Sequence, residues 1–224
     1  MITLTRKGNV FVLQMDEGEN RFNEKTVADL NGALAQVEAA PGPSALVTTG
    51  TGKFFSNGLD LDWMGGHCTD KPRFVADVQK LLARFLVFPR PTVAAVNGHA
   101  FAAGAMLVLS HDFALMRADR GYFCLPEVDI NIPFTEGMTA LIAARLPQPV
   151  LHEACTTGKR YTAPEAARLS AISEAVAEAD VLPRALARAE ELSGKDAGTL
   201  GAIKRRLYAG AVKALDTPIG DFLT

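Results

Sequence analysis

The sequence predicts an α/β fold in which strands and helices alternate first and helices dominate the last third. Two apolar runs, residues 45–49 (ALVTT) and 92–96 (TVAAV), are rich in strand-forming residues. Each run leads into a glycine-containing turn, and a helical pattern precedes each of them. This strand, helix, strand rhythm is typical of layered α/β architectures.

The chain begins with a predicted strand pair. Residues 2–5 and 10–15 alternate apolar and polar side chains, and the Lys-Gly-Asn at 7–9 supplies a short turn. A helix is predicted from Glu24, and it ends before the Pro-Gly-Pro at 41–43. Its apolar positions recur at steps of three or four and are Val27, Leu30, Leu34 and Val37.

A further helix is predicted over residues 73–87, before the strand at 92–96, and beyond Pro133 the pattern becomes helical. The predicted helical segments are residues 138–145, 150–155, 164–169, 182–192 and 197–208. The best candidate for a hinge is the Ser-Gly-Lys-Asp at 193–196. We therefore expect a core over residues 1–192 and a short helical C-terminal region over residues 193–224.

The composition limits the function. The chain has 224 residues, of which 48% are hydrophobic and 21% charged, as in a globular protein with one sizeable core. Its net charge of -2 argues against a nucleic-acid binder that relies on broad phosphate contacts. The basic run Lys204, Arg205 and Arg206 is interpreted as a solvated helix face.

Cysteine usage and hydropathy indicate a cytoplasmic protein. Cys68, Cys124 and Cys155 are widely spaced and form no CxxC pair, which favours a reducing compartment over disulfides or a zinc site. The amino terminus has no secretory signal pattern, and no segment approaches the roughly 18 apolar residues of a membrane helix. We expect neither a membrane nor a nucleic acid as a partner.

Motifs for several common chemistries are missing from the sequence. The Gly-Thr-Gly-Lys at 50–53 lacks the earlier glycine and the following Ser or Thr of a P-loop. No GxGxxG follows a strand, no histidines have HExxH spacing, and no serine lies in a GxSxG elbow. These patterns offer no support for a dinucleotide cofactor, a metal hydrolase or an acyl-enzyme serine.

The first informative turn is residues 53–64 (KFFSNGLDLDWM), which follows the strand at 45–49. Small residues at such a strand end let a ligand approach the backbone, whose free N–H groups bind anions. A purely structural interpretation is also open, in which Gly58 supplies a left-handed backbone and Asp60 caps the next helix.

The second turn is residues 96–106 (VNGHAFAAGAM), which runs into an apolar helix. N–H groups at a helix N-terminus carry partial positive charge, so an enolate oxygen would be favoured there. The alternative is a tightly packed helix start with no ligand. Together the two turns suggest a pair of amides that bind an oxyanion.

The third segment is residues 123–133 (FCLPEVDINIP), and it contains Glu127. Phe123, Leu125, Val128 and Ile130 suggest an apolar surround, in which desolvation would make the carboxylate a stronger base. Taken alone, a single glutamate is more often solvated or paired with a cation.

In order and spacing, the three segments resemble the crotonase superfamily, the group of enoyl-CoA hydratases and isomerases. The family patterns read FSAGLD or FAAGAD, then NGxAxGGGxEL, then PExxLGxxP. The resemblance covers residues 1–190. It implies a spiral of repeated ββα units with a helical C-terminal region, assembled as a homotrimer or a dimer of trimers.

The resemblance also implies the roles of individual residues. The amides of Leu59 and Ala103 would bind the thioester oxygen, and Glu127 would be the catalytic glutamate. CoA would arrive as part of the substrate, with no metal and no other cofactor. The remaining substrate-binding positions would include Trp63, which would line an acyl tunnel, and the main chain of residues 55–57, which would lie along the CoA adenine. The full set is Phe55, Ser56, Asn57, Gly58, Asp60, Gly104, Met106 and Trp63.

The chain departs from the family pattern at the position of a second carboxylate. A hydratase uses two carboxylates to orient one water, and the second belongs where this chain has Met106. One base is enough to move a proton from the carbon next to a thioester to a carbon two positions away. The resemblance is therefore strongest to Δ3,Δ2-enoyl-CoA isomerases, and FSNGLDL agrees with the FSAGLDL of such enzymes.

Three alternatives stay open from sequence. Glu136 would supply a second acid if its loop folded over the pocket, although it suits the start of the helix near Met138. Hydration or thioester hydrolysis would then compete with isomerisation. A crotonase-like binding protein without catalysis is the alternative from another class.

Overall fold

The computed structural model describes residues 1–219, and within them two β-sheets lie at the centre. The strands are β1 (Ile2–Lys7), β2 (Val10–Met15), β3 (Ala45–Gly50), β4 (Phe54–Ser56), β5 (Thr92–Val96), β6 (His99–Phe101), β7 (Phe113–Arg117), β8 (Phe123–Cys124) and β9 (Glu174–Val176). The larger sheet has the order β1-β2-β3-β5-β7-β9, and the smaller sheet has the order β4-β6-β8. The β1–β2 pair is antiparallel, and the other pairs named in these sheets are parallel.

Helices cover both sheets. They are α1 (Glu24–Ala39), α2 (Leu61–Gly66), α3 (Lys71–Leu86), α4 (Ala103–Leu109), α5 (Glu136–Arg145), α6 (Gln148–Thr157), α7 (Ala163–Arg168), α8 (Glu178–Leu192), α9 (Ala197–Leu207) and α10 (Ala209–Leu215). Side chains that accept a first-turn N–H fix the start of several of them, as Asn23 does for α1 and Asp60 for α2. No helix in residues 1–219 is long and apolar enough to cross a lipid bilayer.

A repeated ββα unit organises the middle of the chain. A strand of the larger sheet, a strand of the smaller sheet and a helix follow one another in β3-β4-α2, β5-β6-α4 and β7-β8-α5. Because β4, β6 and β8 are parallel neighbours, the turns that follow them lie at the same edge of the smaller sheet. The spiral α/β fold expected from the sequence is confirmed.

The central strands β3 and β5 of the larger sheet are buried on both faces, which explains why their sequences are continuous apolar runs. Leu46 and Ala94 belong to the main core with α1, α3 and α4, whereas Val47 and Val93 pack with Ala185 and other residues of α8. Successive residues of one strand thus enter opposite cores.

Two expectations about the C-terminal part need correction. The last third is not purely helical, because β9 pairs with β7 at the edge of the larger sheet. A strand of three residues between helices carries too little periodicity to be recognised. The boundary predicted at residue 193 falls in the turn between α8 and α9, and residues 220–224 of the predicted C-terminal region lie outside the described residues.

The basic run on α9 also differs from its prediction. Arg205 and Arg206 are exposed, but Lys204 is 4% exposed and points into the protein. Its ammonium donates to the carbonyls of Phe88 (3.0 Å) and Arg90 (3.1 Å) and to the Asp112 carboxylate (2.6 Å). Three acceptors match the three donors of an ammonium group. Lys204 therefore fastens α9 to the loop before β5.

Removal of this ammonium should destabilise the fold. In Lys204→Met the Asp112 carboxylate loses its cation and two carbonyls lose a donor, so we expect the free energy of unfolding to fall by about 3 kcal/mol. Urea unfolding followed by circular dichroism measures this loss. Arg206→Met, on the same helix but exposed, is the matched control, and an equal effect of both exchanges would contradict the anchoring role.

Candidate active site

A cavity of about 370 Å³ opens where the three turns meet at the edge of the smaller sheet. Its wall is mostly apolar, and Arg21, Arg160 and Asp62 bring charge to it along with Glu127. The lining residues are Arg21, Asn57, Leu59, Leu61, Asp62, Phe101, Ala102, Ala103, Met106, Cys124, Pro126, Glu127, Ile130, Ile132, Pro133, Met138 and Arg160. Residues from all three segments singled out in the sequence thus share one cavity.

The first turn holds one backbone N–H free for a ligand. Among residues 57–61, the N–H groups of Asn57, Gly58, Asp60 and Leu61 all donate to protein acceptors. The N–H of Leu59 has no acceptor among the described residues, and Leu59 lines the cavity. Buried backbone donors are nearly always paired, so an open one at a cavity wall is an available binding group.

The second turn presents another open donor. The N–H of Ala103 has no acceptor in residues 1–219, and α4 begins without a side-chain cap because Ala102 occupies that position. Ala102 has φ +51° and ψ -126°, which is a costly conformation for a residue with a side chain. The turn therefore holds the Ala103 amide at the cavity wall at the expense of local strain.

The two turns are in direct contact. A β-carbon added to Gly58, which has φ +79°, would lie 2.9 Å from the Ala102 β-carbon and 3.1 Å from the Ala103 nitrogen. One added to Gly104 would lie 2.3 Å from the carbonyl oxygen of Ser56. Glycine is required at both positions because a side chain would clash with the facing turn. This close approach brings the two open donors to one wall.

Glu127 lies beyond β8 in a single turn that is closed by hydrogen bonds from the N–H groups of Asp129 and Ile130 to the Pro126 carbonyl. The Glu127 residue is 6% exposed. Its Oε2 atom has no hydrogen-bond partner among the described residues. Burial raises the pKa of Glu127 to about 7, against a smaller opposing effect of its own backbone N–H. Of the predicted apolar surround, Phe123 and Leu125 are fully buried, whereas Val128 (46%) and Ile130 (44%) are exposed, and Ile130 lines the cavity.

Other acidic groups are differently placed. Glu136 is exposed in the first turn of α5 and does not line the cavity. Asp62 lies at the cavity wall, but its side chain is exposed and bound to Arg21 at 2.7 Å. Met106 is 1% exposed and contributes a thioether to the wall. Glu127 is thus the one buried carboxylate among the described lining residues.

The structure separates the predicted substrate-binding residues into two groups. Asn57 and Met106 line the cavity with Leu59, Ala103 and Glu127. The other predicted residues do not line the cavity, and they are Phe55, Ser56, Gly58, Asp60, Gly104 and Trp63. Asp60 caps α2 through the Trp63 N–H, and the Trp63 ring packs edge to face on Phe74.

Several lining residues were not found from the sequence. Arg21 comes from the loop before α1, and Arg160 from the segment after α6, where it lies over the Phe101 ring. Cys124 and Met138 complete the apolar wall. Arg21, Arg160 and Met138 belong to no local motif, since only the tertiary fold brings them to the cavity. Within residues 1–219, no cluster of three or more His, Cys, Asp or Glu side chains is arranged to hold a metal ion.

Comparison with known proteins agrees with this geometry. Residues 5–219 match the family model for enoyl-CoA hydratase/isomerase. The chain belongs to this family. It is 34% identical to enoyl-CoA delta isomerase 3 of Arabidopsis thaliana, over 100% of this chain and 99% of the relative. Enoyl-CoA delta isomerase 2, peroxisomal, of the same plant is 34% identical over 93% of this chain and 92% of its own length.

Solved structures share the fold. A probable enoyl-CoA hydratase of Mycobacterium tuberculosis H37Rv superposes with a TM-score of 0.90 at 28% identity, over 97% of this chain and 92% of that chain. A structure named as the apo form of a Mycobacterium tuberculosis enoyl-CoA isomerase gives 0.87 at 27% identity, over 96% and 93%. Both structures are of one protein, which is named once as a hydratase and once as an isomerase, so membership of the family does not by itself choose the reaction.

The contact between the two turns should appear as energetic coupling. We expect Gly58→Ala to destabilise the protein by about 2 kcal/mol, because it adds strain and a clash. Ala102→Gly should stabilise it by about 1 kcal/mol, since relief of strain exceeds the flexibility cost of glycine. In the double variant the clashing methyl is absent, so the two effects should not add. Urea unfolding of all four proteins tests this, and additivity within about 0.5 kcal/mol would contradict it.

The raised pKa of Glu127 should make stability depend on pH. A carboxyl whose folded pKa is about 7 instead of 4.5 favours folding when protonated, and this contribution disappears as the pH rises through 7. Between pH 4.5 and pH 8, Glu127→Gln should therefore gain about 3 kcal/mol in stability relative to the wild type.

Unfolding curves at several pH values measure that gain. Glu136→Gln, which changes an exposed glutamate, is the matched control, and we expect no comparable gain from it. A stability difference for Glu127→Gln that stays constant from pH 4.5 to pH 8 would show that the Glu127 carboxyl is not desolvated.

Proposed function

We propose that the protein is a Δ3,Δ2-enoyl-CoA isomerase that converts 3-enoyl-CoA to 2-enoyl-CoA. The observation that carries this proposal is a single buried carboxylate, Glu127, in one cavity with the open N–H groups of Leu59 and Ala103. Such a set provides a proton acceptor and two donors for an oxyanion. It provides no second buried carboxylate, within the described part of the chain, to fix a water.

In this mechanism Glu127 removes a proton from C2 of the 3-enoyl thioester. The electron pair of the broken C–H bond delocalises over C2, C3, C4 and the thioester oxygen as a dienolate. Protonated Glu127 then returns the proton to C4, and the double bond is left between C2 and C3. The proton is conserved and no other reactant enters.

The two amides stabilise the charge that develops on the thioester oxygen. Backbone donors aimed at that position are worth about 2.7 to 4 kcal/mol each in related oxyanion sites. Because the Leu59 and Ala103 amides belong to turns packed against each other, they need little reorganisation during the reaction.

The pKa of Glu127 suits a group that is first a base and then an acid. With a pKa of about 7, the carboxylate and the acid forms of Glu127 have similar populations at neutral pH. Neither the proton removal nor the proton return therefore starts from a rarely populated form of Glu127. A solvated glutamate would be a weaker base towards carbon. Desolvation by the cavity wall supplies this property.

Hydration is the competing reaction, and Met106 counts against it. A thioether accepts hydrogen bonds poorly and carries no proton, so it cannot orient and activate a water as a carboxylate does. Asp62 is held by Arg21, and Glu136 lies outside the cavity. The relatives named enoyl-CoA delta isomerases support the same choice.

Other parts of the proposal rest on family resemblance. CoA is expected to arrive as part of the substrate, and assembly as a homotrimer or a dimer of trimers stays a prediction. A cytoplasmic location also stays a prediction, and two of the Arabidopsis thaliana relatives are named peroxisomal.

The reaction is tested by comparison of trans-3-hexenoyl-CoA and trans-2-hexenoyl-CoA as substrates. We expect the first to be isomerised and the second to be hydrated at least a hundredfold more slowly. Glu127→Gln should abolish isomerisation and the exchange of the C2 protons of an acyl-CoA with deuterated water. Glu136→Gln is the control and should retain both activities. Rapid hydration of the 2-enoyl substrate would refute the assignment.

The pH dependence gives a second test of the base. Since Glu127 must be a carboxylate in the free enzyme, kcat/KM should rise with pH, reach half its maximum near pH 7 and then level off. Rates of 3-hexenoyl-CoA isomerisation between pH 5 and pH 9 measure this profile. A constant kcat/KM over that range would exclude a base with a pKa of about 7.

A further inference from the structure

We infer that Asn20 is a positioning residue for the Leu59 amide, an inference that rests on the proposed oxyanion role of that amide. Asn20 lies in the loop before α1, and it is 2% exposed. It does not line the cavity, so it acts only through the first turn.

Residues 19–22 run alongside the first turn and bind its backbone. The Asn57 N–H donates to the Glu19 carbonyl (2.9 Å), and the Asp60 N–H donates to the Phe22 carbonyl (2.9 Å). The Phe22 N–H donates in return to the Gly58 carbonyl (2.8 Å). These bonds lie on both sides of Leu59 in the chain and leave its own N–H open to the cavity.

Asn20 ties the beginning of the turn to this segment. Its side-chain NH₂ donates to the carbonyls of Phe54 (3.2 Å) and Phe55 (3.1 Å) in β4. Its side-chain oxygen accepts from the Glu17 N–H (2.9 Å), and its φ of +52° is one that asparagine tolerates. Every polar group of the side chain is therefore engaged in fixing backbone.

A hydroxyl connects Asn20 to the turn itself. Ser56 Oγ donates to the Asn20 carbonyl (2.7 Å) and accepts from the Gly58 N–H (3.2 Å). Ser56 is fully buried, so no water replaces these bonds readily. The chain Asn20, Ser56, Gly58 ends one residue before the amide that would bind the oxyanion.

A loosened turn would affect the transition state more than substrate binding. The oxyanion forms its strongest bond to the Leu59 amide only when charge has developed, so a misplaced amide lowers kcat and changes KM little. Complete removal of one such donor costs about 10² to 10³ in kcat. Partial misplacement should cost about tenfold to a hundredfold.

The test uses Asn20→Gly, in which glycine keeps the positive φ and removes the side chain. We expect kcat for trans-3-hexenoyl-CoA to fall at least tenfold, with KM within about threefold of the wild type. Ser56→Ala provides a second variant that removes the connecting hydroxyl and should shift kcat in the same direction. Asn31→Ala is the matched control, because its side chain bonds to the Val27 carbonyl and to Arg84, far along α1 from the turn.

A spectroscopic measurement separates positioning from general loss of stability. Infrared difference spectra of bound butyryl-CoA with a ¹³C thioester carbonyl report how strongly the carbonyl is polarised. In wild-type protein the band should lie below its frequency in solution, and in Asn20→Gly it should move back towards that value. A variant that melts earlier but keeps the wild-type kcat and band would overturn the inference.

The two proposals fail in different ways. If the wild type shifts the carbonyl band but isomerises no 3-enoyl-CoA, the proposed reaction is wrong, and the band in Asn20→Gly still decides the role of Asn20. If the wild-type band equals the solution band, the Leu59 amide does not polarise the carbonyl and the positioning role is overturned.

Discussion

The parallel arrangement of three very short strands is the constraint on which the site depends. β4, β6 and β8 run in the same direction, so the residues that follow them meet at one edge. Those residues are the Leu59 turn, the Ala103 turn and Glu127. A slip of one residue in any pairing would turn an amide or the carboxylate away from the cavity.

Backbone hydrogen bonds fix the turns at this edge and leave two N–H donors open at the cavity. Among residues 57–61, four N–H groups donate to residues 19–22, to Ser56 or to Leu59, and the exception is the Leu59 N–H at the cavity wall. At the second turn, the strained Ala102 ends the strand and starts α4 without a cap. Each of the two turns thus leaves an N–H group open at the wall where an oxyanion would form in the proposed reaction.

Much of this arrangement could be predicted because its signals are local. Glycines at strand ends located both turns, whereas Glu127 was singled out because its Pro-Glu segment resembles the crotonase pattern. Arg21, Arg160 and the inward direction of Lys204 could not be predicted, since they depend on which distant elements pack together. Likewise β9 is too short to show an alternation of apolar and polar side chains, and only its pairing with β7 defines it as a strand.

Charge conservation explains why a buried carboxylate without a cation partner suits this site. Burial is the main cause of the raised pKa of Glu127, and Arg21 is already bound to Glu19 and Asp62. In the proposed reaction the negative charge moves from Glu127 to the thioester oxygen as the proton moves the other way, so the reacting groups together carry one negative charge throughout. A cation paired with Glu127 would stabilise the carboxylate that exists before the transfer, and it would therefore oppose the transfer of the proton to Glu127. The open amides do the reverse, because they stabilise only the charge that has moved.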